Sequence, residues 1–323
     1  MIRSRQKETN VMPARKPFPQ DPSLALQQAL LTRPETNPTG YVALDNATAH
    51  PFQPDATNWS RVNGWWLADA SWLAYSHEPD VVQKVWATHA GLPAFESFDR
   101  GGTQCYLVHD DRLAIVAFRG TQPDDWADLF DIVRLVPRPW DVGFVHGGFA
   151  TALDRVWPEL HSAIGTLPAG CRLWLTGHSL GGALALLAAV RLGTRASGLY
   201  TFGAPRIGNA TLAARVGQQF DSRSIRYVND HDVVTHVPPP VAAFPGRYTH
   251  ADQLRWISPD GHIGSTSPTI PHFITEIFGT PGLFLDVIQL SQEGRRISLP
   301  DALVDHTPLY YALHTWNDFA VNG

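Results

Sequence analysis

The residues with the clearest chemical potential are Gly177-His178-Ser179-Leu180-Gly181, which fit the pattern G-x-S-x-G. A serine held in a tight strand-to-helix turn presents its hydroxyl for attack, and side chains two residues to either side would collide across the turn. Glycine at 177 and 181 removes those side chains. The same turn aims the first backbone N–H groups of the following helix at the reacting centre, where a negative oxygen would develop. Five residues alone also fit a plain glycine turn, so the context decides. Arg172 to Thr176 is a short, mostly apolar run that reads as a buried strand, and an Ala/Leu-rich stretch of strong helix propensity begins after Ser179. The pattern therefore predicts Ser179 as a nucleophile.

A serine hydroxyl is a weak nucleophile at neutral pH. It needs a histidine to take its proton and an acid to orient that histidine. Behind a strand–elbow–helix unit the chain order is serine, acid, histidine. Ser224 to Asn229 reads as a strand and runs into Asp230-His231-Asp232, which leaves Asp230 and Asp232 as candidates that spacing does not separate. His236 follows the acid too closely to return over Ser179. His250, His262, His272, His306 and His314 remain. His314 falls inside an apparent helix from Leu309 to Trp316, whereas His306 sits on the loop before it, with Pro308 in the first turn.

The elements that must position these residues alternate. Thr103 to His109 and Leu113 to Phe118 read as strands joined at Asp110-Asp111, followed by Arg119-Gly120-Thr121 and a proline-rich passage. A helix is expected over about Gly148 to Leu167, a strand over Gly198 to Phe202 and a helix over about Ala210 to Gln219. This order predicts an α/β fold with a mostly parallel sheet, entered by an antiparallel hairpin. Upstream, Asn58 reads as a helix cap, and Trp65, Ala68, Trp72 and Tyr75 recur at helical spacing. Such an aromatic stripe is expected to pack into the core rather than bind lipid or sugar. A further helix is expected over Val81 to Thr88. Residues 1–22 are expected to form a disordered leader and 23–323 a single domain with a helical N-terminal flank.

Composition narrows the partners. The 323 residues are 44% hydrophobic and 17% charged with a net charge of −5, which removes nucleic acid from consideration. No window approaches ~18 uninterrupted apolar residues, so no membrane span is expected. Cys105 and Cys171 are the only cysteines, too few for a disulfide framework, and both read as buried thiols. No His, Cys or carboxylate cluster at ligand spacing asks for a metal or cofactor, and none is expected. The basic N-terminal stretch lacks the apolar core of a secretory signal, which points to the cytoplasm, although signal-independent export would look the same.

Together these residues resemble the class 3 (fungal-type) triacylglycerol lipases of the α/β-hydrolase superfamily. Val116-Ala-Phe-Arg-Gly-Thr121 resembles the oxyanion strand, and Val145-His-Gly-Gly-Phe149 the start of the next helix. Gly177 to Gly182 resembles the elbow, Thr201 to Asn209 a second block, and Val228 to Pro238 the acid loop. Asp305-His306-Thr-Pro-Leu-Tyr310 resembles the bacterial form of the histidine loop. The resemblance implies an α/β-hydrolase fold with a mostly parallel central sheet and helices on both faces. It favours Asp232 over Asp230 as the acid, makes His306 the base, and gives Thr121, with the Leu180 N–H, the oxyanion. It also places a lid over 122–140, where Trp126, Leu129, Phe130 and Val133 form one helical stripe, with Pro137 and Pro139 at the far hinge. Asp128 best matches the family aspartate that steadies the oxyanion residue, although its spacing from Trp126 is one residue tighter than usual.

The activity so implied is hydrolysis of acylglycerols at a lipid interface through an acyl-enzyme. Phospholipase A1 and short-chain esterases share the triad. A catalytically dead, lipase-like protein that binds lipid or a partner is the other class, and the presence of all three triad residues argues against it. The run Phe273 to Leu290, inserted between the acid loop and His306, is expected to pack as an extra helix or to wall an acyl groove.

Overall fold

A computed structural model describes residues 13–18, 33–37, 39–121, 137–238, 247–267 and 304–323. The first long element is helix α1, Arg61–Leu73, buried on every side from Val62 onward. Its stripe of Trp65, Trp72 and, beyond its end, Tyr75 is at most 1% exposed, as expected for core packing. The cap differs from the expectation. Ser60, not Asn58, accepts the Asn63 N–H, and the Asn58 amide turns to Thr57. Serine in extended backbone reaches the third N–H of the helix, which satisfies one of its four orphan donors. Helix α2, Pro79–Val85, continues as a π turn over Trp86–Ala90.

Three antiparallel strands follow: β1 (Ala94–Arg100), β2 (Thr103–His109) and β3 (Leu113–Phe118). Short strands β4 (Pro137–Pro139) and β5 (Phe144–His146) precede α3, Gly147–Thr166. Then come β6 (Arg172–His178), α4 (Leu180–Leu192), β7 (Ala196–Phe202), β8 (Gly208–Asn209), α5 (Ala210–Phe220) and β9 (Ser224–Asn229). The strands β10 (Tyr248–Thr249), β11 (Gln253–Ile257) and β12 (Ile263–Gly264) lead to the C-terminal helix α6, Pro308–Asn322.

The main sheet has the order β1-β2-β3-β6-β7-β9-β11-β12, parallel from β3 to β11 and antiparallel at both edges. Strands β10-β8-β5-β4 form a small second sheet. Because side chains alternate along a strand, β3 sends Leu113, Ile115 and Ala117 to one core and Ala114, Val116 and Phe118 to the other. The first core is closed by α1 and α6, through Trp65, Trp72 and Trp316. The second is closed by α3, α4 and α5, through Leu153, Leu186 and Val216. Burying any one such large side chain contributes about 1.5–3 kcal/mol, so the sheet is anchored on both faces. This is the α/β-hydrolase arrangement, with the serine turn at the C-terminal end of central strand β6. Cys105 and Cys171 are buried free thiols.

Two further expectations meet the structure unevenly. Residues 13–18, expected to belong to a leader, run against α6: Trp316 Nε1 donates to the Ala14 carbonyl at 3.1 Å, and Asn317 exchanges two hydrogen bonds with the Lys16 backbone. Phe18 packs edge-on to Tyr310, ring centroids 5.6 Å apart. Of the expected lid, residues 122–136 lie outside the described residues, as does the run from Phe273 to Leu290; Pro137–Pro139 is the strand paired with β5.

Candidate active site

Strand β6 stops one residue before Ser179, and α4 starts one residue after it. Ser179 takes the whole turn, at φ 57° and ψ −129°. A side chain in that region costs on the order of 1–3 kcal/mol, so its surroundings must hold it there. Its N–H donates to the Phe202 carbonyl at 2.9 Å. A Cβ on Gly177 would overlap the Gly181 backbone, and one on Gly181 would overlap the Phe118 carbonyl. Both glycines are therefore required by sterics: Gly177 for the reason read from the motif, and Gly181 because the end of β3 passes close to it.

Asp232 lies at the end of the loop after β9, wholly buried. Both carboxylate oxygens lie 2.8 Å from His306 Nδ1. Oδ2 also accepts the Tyr311 hydroxyl at 2.6 Å, and Oδ1 accepts the Val234 N–H at 2.9 Å. Three kinds of donor fix the carboxylate in place. Asp230 points elsewhere, pairing with His231 at 2.8 Å. His306 is 1% exposed, just ahead of α6. Gly203, at φ +59°, makes room for the pair: a Cβ there would sit 2.7 Å from Asp232 Oδ2 and 2.9 Å from His306 Cε1.

The elbow residue His178 packs against His306 with ring centroids 4.4 Å apart and ring planes tilted by 40°, which brings the histidine loop to the serine turn. Its Nδ1 pairs with the Tyr75 hydroxyl at 2.7 Å. Burial, and then the neighbouring His306, hold its pKa well below the usual range, so His178 is neutral. Thr121 follows the end of β3; its hydroxyl oxygen is buried and has no hydrogen-bond partner among the described residues. Leu180 is the first residue of α4, so its N–H has no intrahelical acceptor. The close approach of β3 to the elbow depends on Gly120, where a Cβ would overlap the Tyr75 hydroxyl. Trp126 and Asp128 lie outside the described residues.

Of the other candidate histidines, His250 and His314 are engaged away from Asp232, and His272 lies outside the described residues. His250 Nε2 pairs with the Thr235 carbonyl at 2.8 Å. Burial brings His236 and His314 down to about 4, and His314 packs under Phe18. Sequence reasoning missed Tyr311 as a partner of the acid and Tyr75 as a partner of His178. Tyr75 was legible only as a core aromatic, and no motif spacing marks Tyr311. Ligand spacing along the chain also does not reveal a group assembled by folding. Among the described residues, Asp230, His231 and Asp305 place ligand atoms within 4.8 Å of one another and could hold a metal ion. Arg15 and Lys16 line the same cavity, which disfavours a cation there.

The profile of the family described as Lipase (class 3) matches residues 115–242, a span that holds β3, the elbow and Asp232. The chain is 34% identical to a lipase of Rhizomucor miehei over 163 residues, 46% of this chain and 42% of that one. It is 30% identical to a triacylglycerol lipase of Arabidopsis thaliana over 234 residues, 52% and 44% of the two chains. A lipase of Caenorhabditis elegans is 29% identical over 211 residues, 60% of each. The chain thus spans only 42% to 60% of these relatives' own length. Among solved structures, the Rhizomucor miehei lipase–propeptide complex aligns at 27% identity over 55% of this chain and 62% of that one, with a TM-score of 0.44. Residues 115–242, which hold most of β3, the serine turn and Asp232 in order, are thus the part of the chain that matches the class 3 lipase family.

Proposed function

We propose that the protein is a serine carboxylic-ester hydrolase that cleaves acylglycerols. Ser179 attacks the ester carbonyl while His306 takes its proton. Asp232 holds the imidazole with Nδ1 protonated and stabilises the imidazolium that forms. Thr121 and the Leu180 N–H receive the negative oxygen, an interaction of about 3 kcal/mol per donor in such sites. His306 then protonates the departing alkoxide. Water, activated by the same histidine, splits the acyl-enzyme and releases the fatty acid.

The observation that carries this reading is the buried Asp232–His306 pair, at 2.8 Å, packed through His178 against the strained Ser179 turn. A protein that merely bound lipid would gain nothing from keeping a serine at φ 57° beside that pair. Acylglycerol as the substrate is carried over from relatives named triacylglycerol and mono- and diacylglycerol lipases. The test is release of butyrate from emulsified tributyrin in a pH-stat, with Ser179→Ala as the control. Wild-type release that vanishes in the variant supports the reading; equal rates from the two proteins refute it.

A further inference from the structure

The C-terminal end of α1 meets the elbow strand β6 at two matched points. Ser71 Oγ pairs with Thr176 Oγ1 at 2.8 Å, and just past the helix the Tyr75 hydroxyl pairs with His178 Nδ1 at 2.7 Å. Four residues of helix advance about 6 Å and two residues of strand about 6.6 Å, so the two elements stay in step from one contact to the next. All four side chains are buried. The first contact belongs to the core. The second reaches the reacting groups.

A Cβ on Gly120 would overlap the Tyr75 hydroxyl, would sit 2.6 Å from the His178 carbonyl oxygen and would lie 3.1 Å from Ser179 Cβ. The hydroxyl is thus wedged between Gly120, the residue before Thr121, and His178, the residue before Ser179. Burial raises the Tyr75 pKa, against the smaller pulls of Arg119 and of a hydrogen bond from the Gly120 N–H. The oxygen therefore accepts from Gly120 while its proton points at His178 Nδ1, which leaves the proton of the neutral imidazole on Nε2. The His178 ring also packs against Tyr311, the partner of the acid, with centroids 5.6 Å apart, as well as against His306. Neutrality matters at that place. An imidazolium at 178 would oppose the imidazolium that forms on His306, and donation into Nδ1 occupies the lone pair that would take the proton. Neither Tyr75 nor His178 lines the cavity that Thr121 and Leu180 wall.

We propose that Tyr75 and His178 are positioning residues: their buried hydrogen bond sets the separation of the oxyanion residue Thr121 from the nucleophile Ser179, and the His178 ring carries that constraint to His306. The inference rests on the ester-hydrolase reading and adds to it two residues that act without touching substrate. A displacement of about 1 Å between reacting groups can lower the rate by roughly two orders of magnitude. That loss falls on the transition state, because binding of the ester does not require the groups to be aligned. Its signature is a lower kcat with KM unchanged.

The experiment measures kcat and KM for dissolved p-nitrophenyl butyrate in wild type, Tyr75→Phe, His178→Phe and the double variant. Each rate is taken per site titrated with a p-nitrophenyl alkylphosphonate, and urea unfolding is run beside it. Phenylalanine keeps a ring at both positions, so the cycle isolates the hydrogen bond. Each single variant should lose roughly tenfold or more in kcat with KM within about twofold of wild type. The double variant should lose little beyond the worse single one, because the bond is already broken. A kcat per site equal to that of wild type, with only stability lowered, marks a merely structural pair and overturns the inference. So does a loss confined to KM, or two losses that multiply in the double variant; in each case the ester-hydrolase reading stands. Either single variant decides the matter if the other does not fold. A wild type that neither hydrolyses the ester nor titrates overturns both.

Discussion

The Tyr311 hydroxyl donates to Asp232 Oδ2 at 2.6 Å and accepts the Asn229 N–H at 2.9 Å, tying α6 to the loop after β9. The helix that follows His306 thereby braces the acid that orients His306. Tyr311→Phe removes a charge-assisted bond and leaves a buried N–H without its acceptor, so it should lower stability by about 1.5–3 kcal/mol. With the carboxylate held less firmly, the orientation of His306 loosens, and kcat should fall roughly tenfold with KM unchanged. Urea unfolding and steady-state kinetics check the two effects, and a merely structural tyrosine would move only the first.

Gly203 tests the fit around the acid–base pair. A Cβ there meets Asp232 and His306 at 2.7 to 2.9 Å, and the residue sits at φ +59°. Displacing a catalytic group by about 1 Å can lower the rate by roughly two orders of magnitude. Gly203→Ala should therefore lose on the order of 10²-fold in kcat, with a stability loss of only about 1 kcal/mol from the backbone. Activity retained within twofold would show that the pair shifts freely.

Asp69 supplies a pH dependence. It is wholly buried, accepting the Tyr41 hydroxyl at 2.8 Å and the Leu44 N–H at 2.7 Å, and burial raises its pKa to about 7. Unfolded, it titrates near about 3.9. Between these values the folded chain holds the proton that the unfolded chain has released. The contribution of Asp69 to stability is therefore full below the unfolded value and falls as pH rises to about 7, at up to ~1.4 kcal/mol per unit. Asn at this position keeps the shape without titrating. The stability of wild type relative to Asp69→Asn should decline from pH 4.5 to 7; parallel curves from urea titrations would contradict this.

The contact of residues 13–18 with α6 is also testable. Asn317 accepts the Lys16 N–H at 2.7 Å and donates to the Lys16 carbonyl at 2.9 Å. Asn317→Ala should destabilise by about 1–2 kcal/mol and speed tryptic cleavage after Arg15, read by mass spectrometry over time. Unchanged cleavage would mean that the segment is held by Phe18 and Trp316 alone.

The legible parts of the chain were those governed by local rules. β2, β3 and β9 follow from apolar runs between turn residues, and the Ser179 turn from two sterically required glycines. Asp232 and Asp230 were not separable by spacing, because both follow β9 directly; only the fold turns one to His306 and the other to His231. Tyr311 and Tyr75 were illegible for a related reason. Their partners lie on elements brought together by the sheet, and a buried tyrosine reads the same in sequence whether or not its hydroxyl carries a function. Strand β1, half-exposed and charged, lacked the apolar run that marked its neighbours.

The central claim is that Ser179 is the nucleophile of an acyl-enzyme mechanism. The most direct measurement is stoichiometric reaction with a p-nitrophenyl alkylphosphonate, following p-nitrophenolate release, residual tributyrin hydrolysis and the adduct by peptide mass spectrometry. The account predicts one equivalent released per chain, the adduct on the peptide carrying Ser179, and activity lost in proportion. An adduct on another residue, or full hydrolysis persisting after labelling is complete, would contradict it.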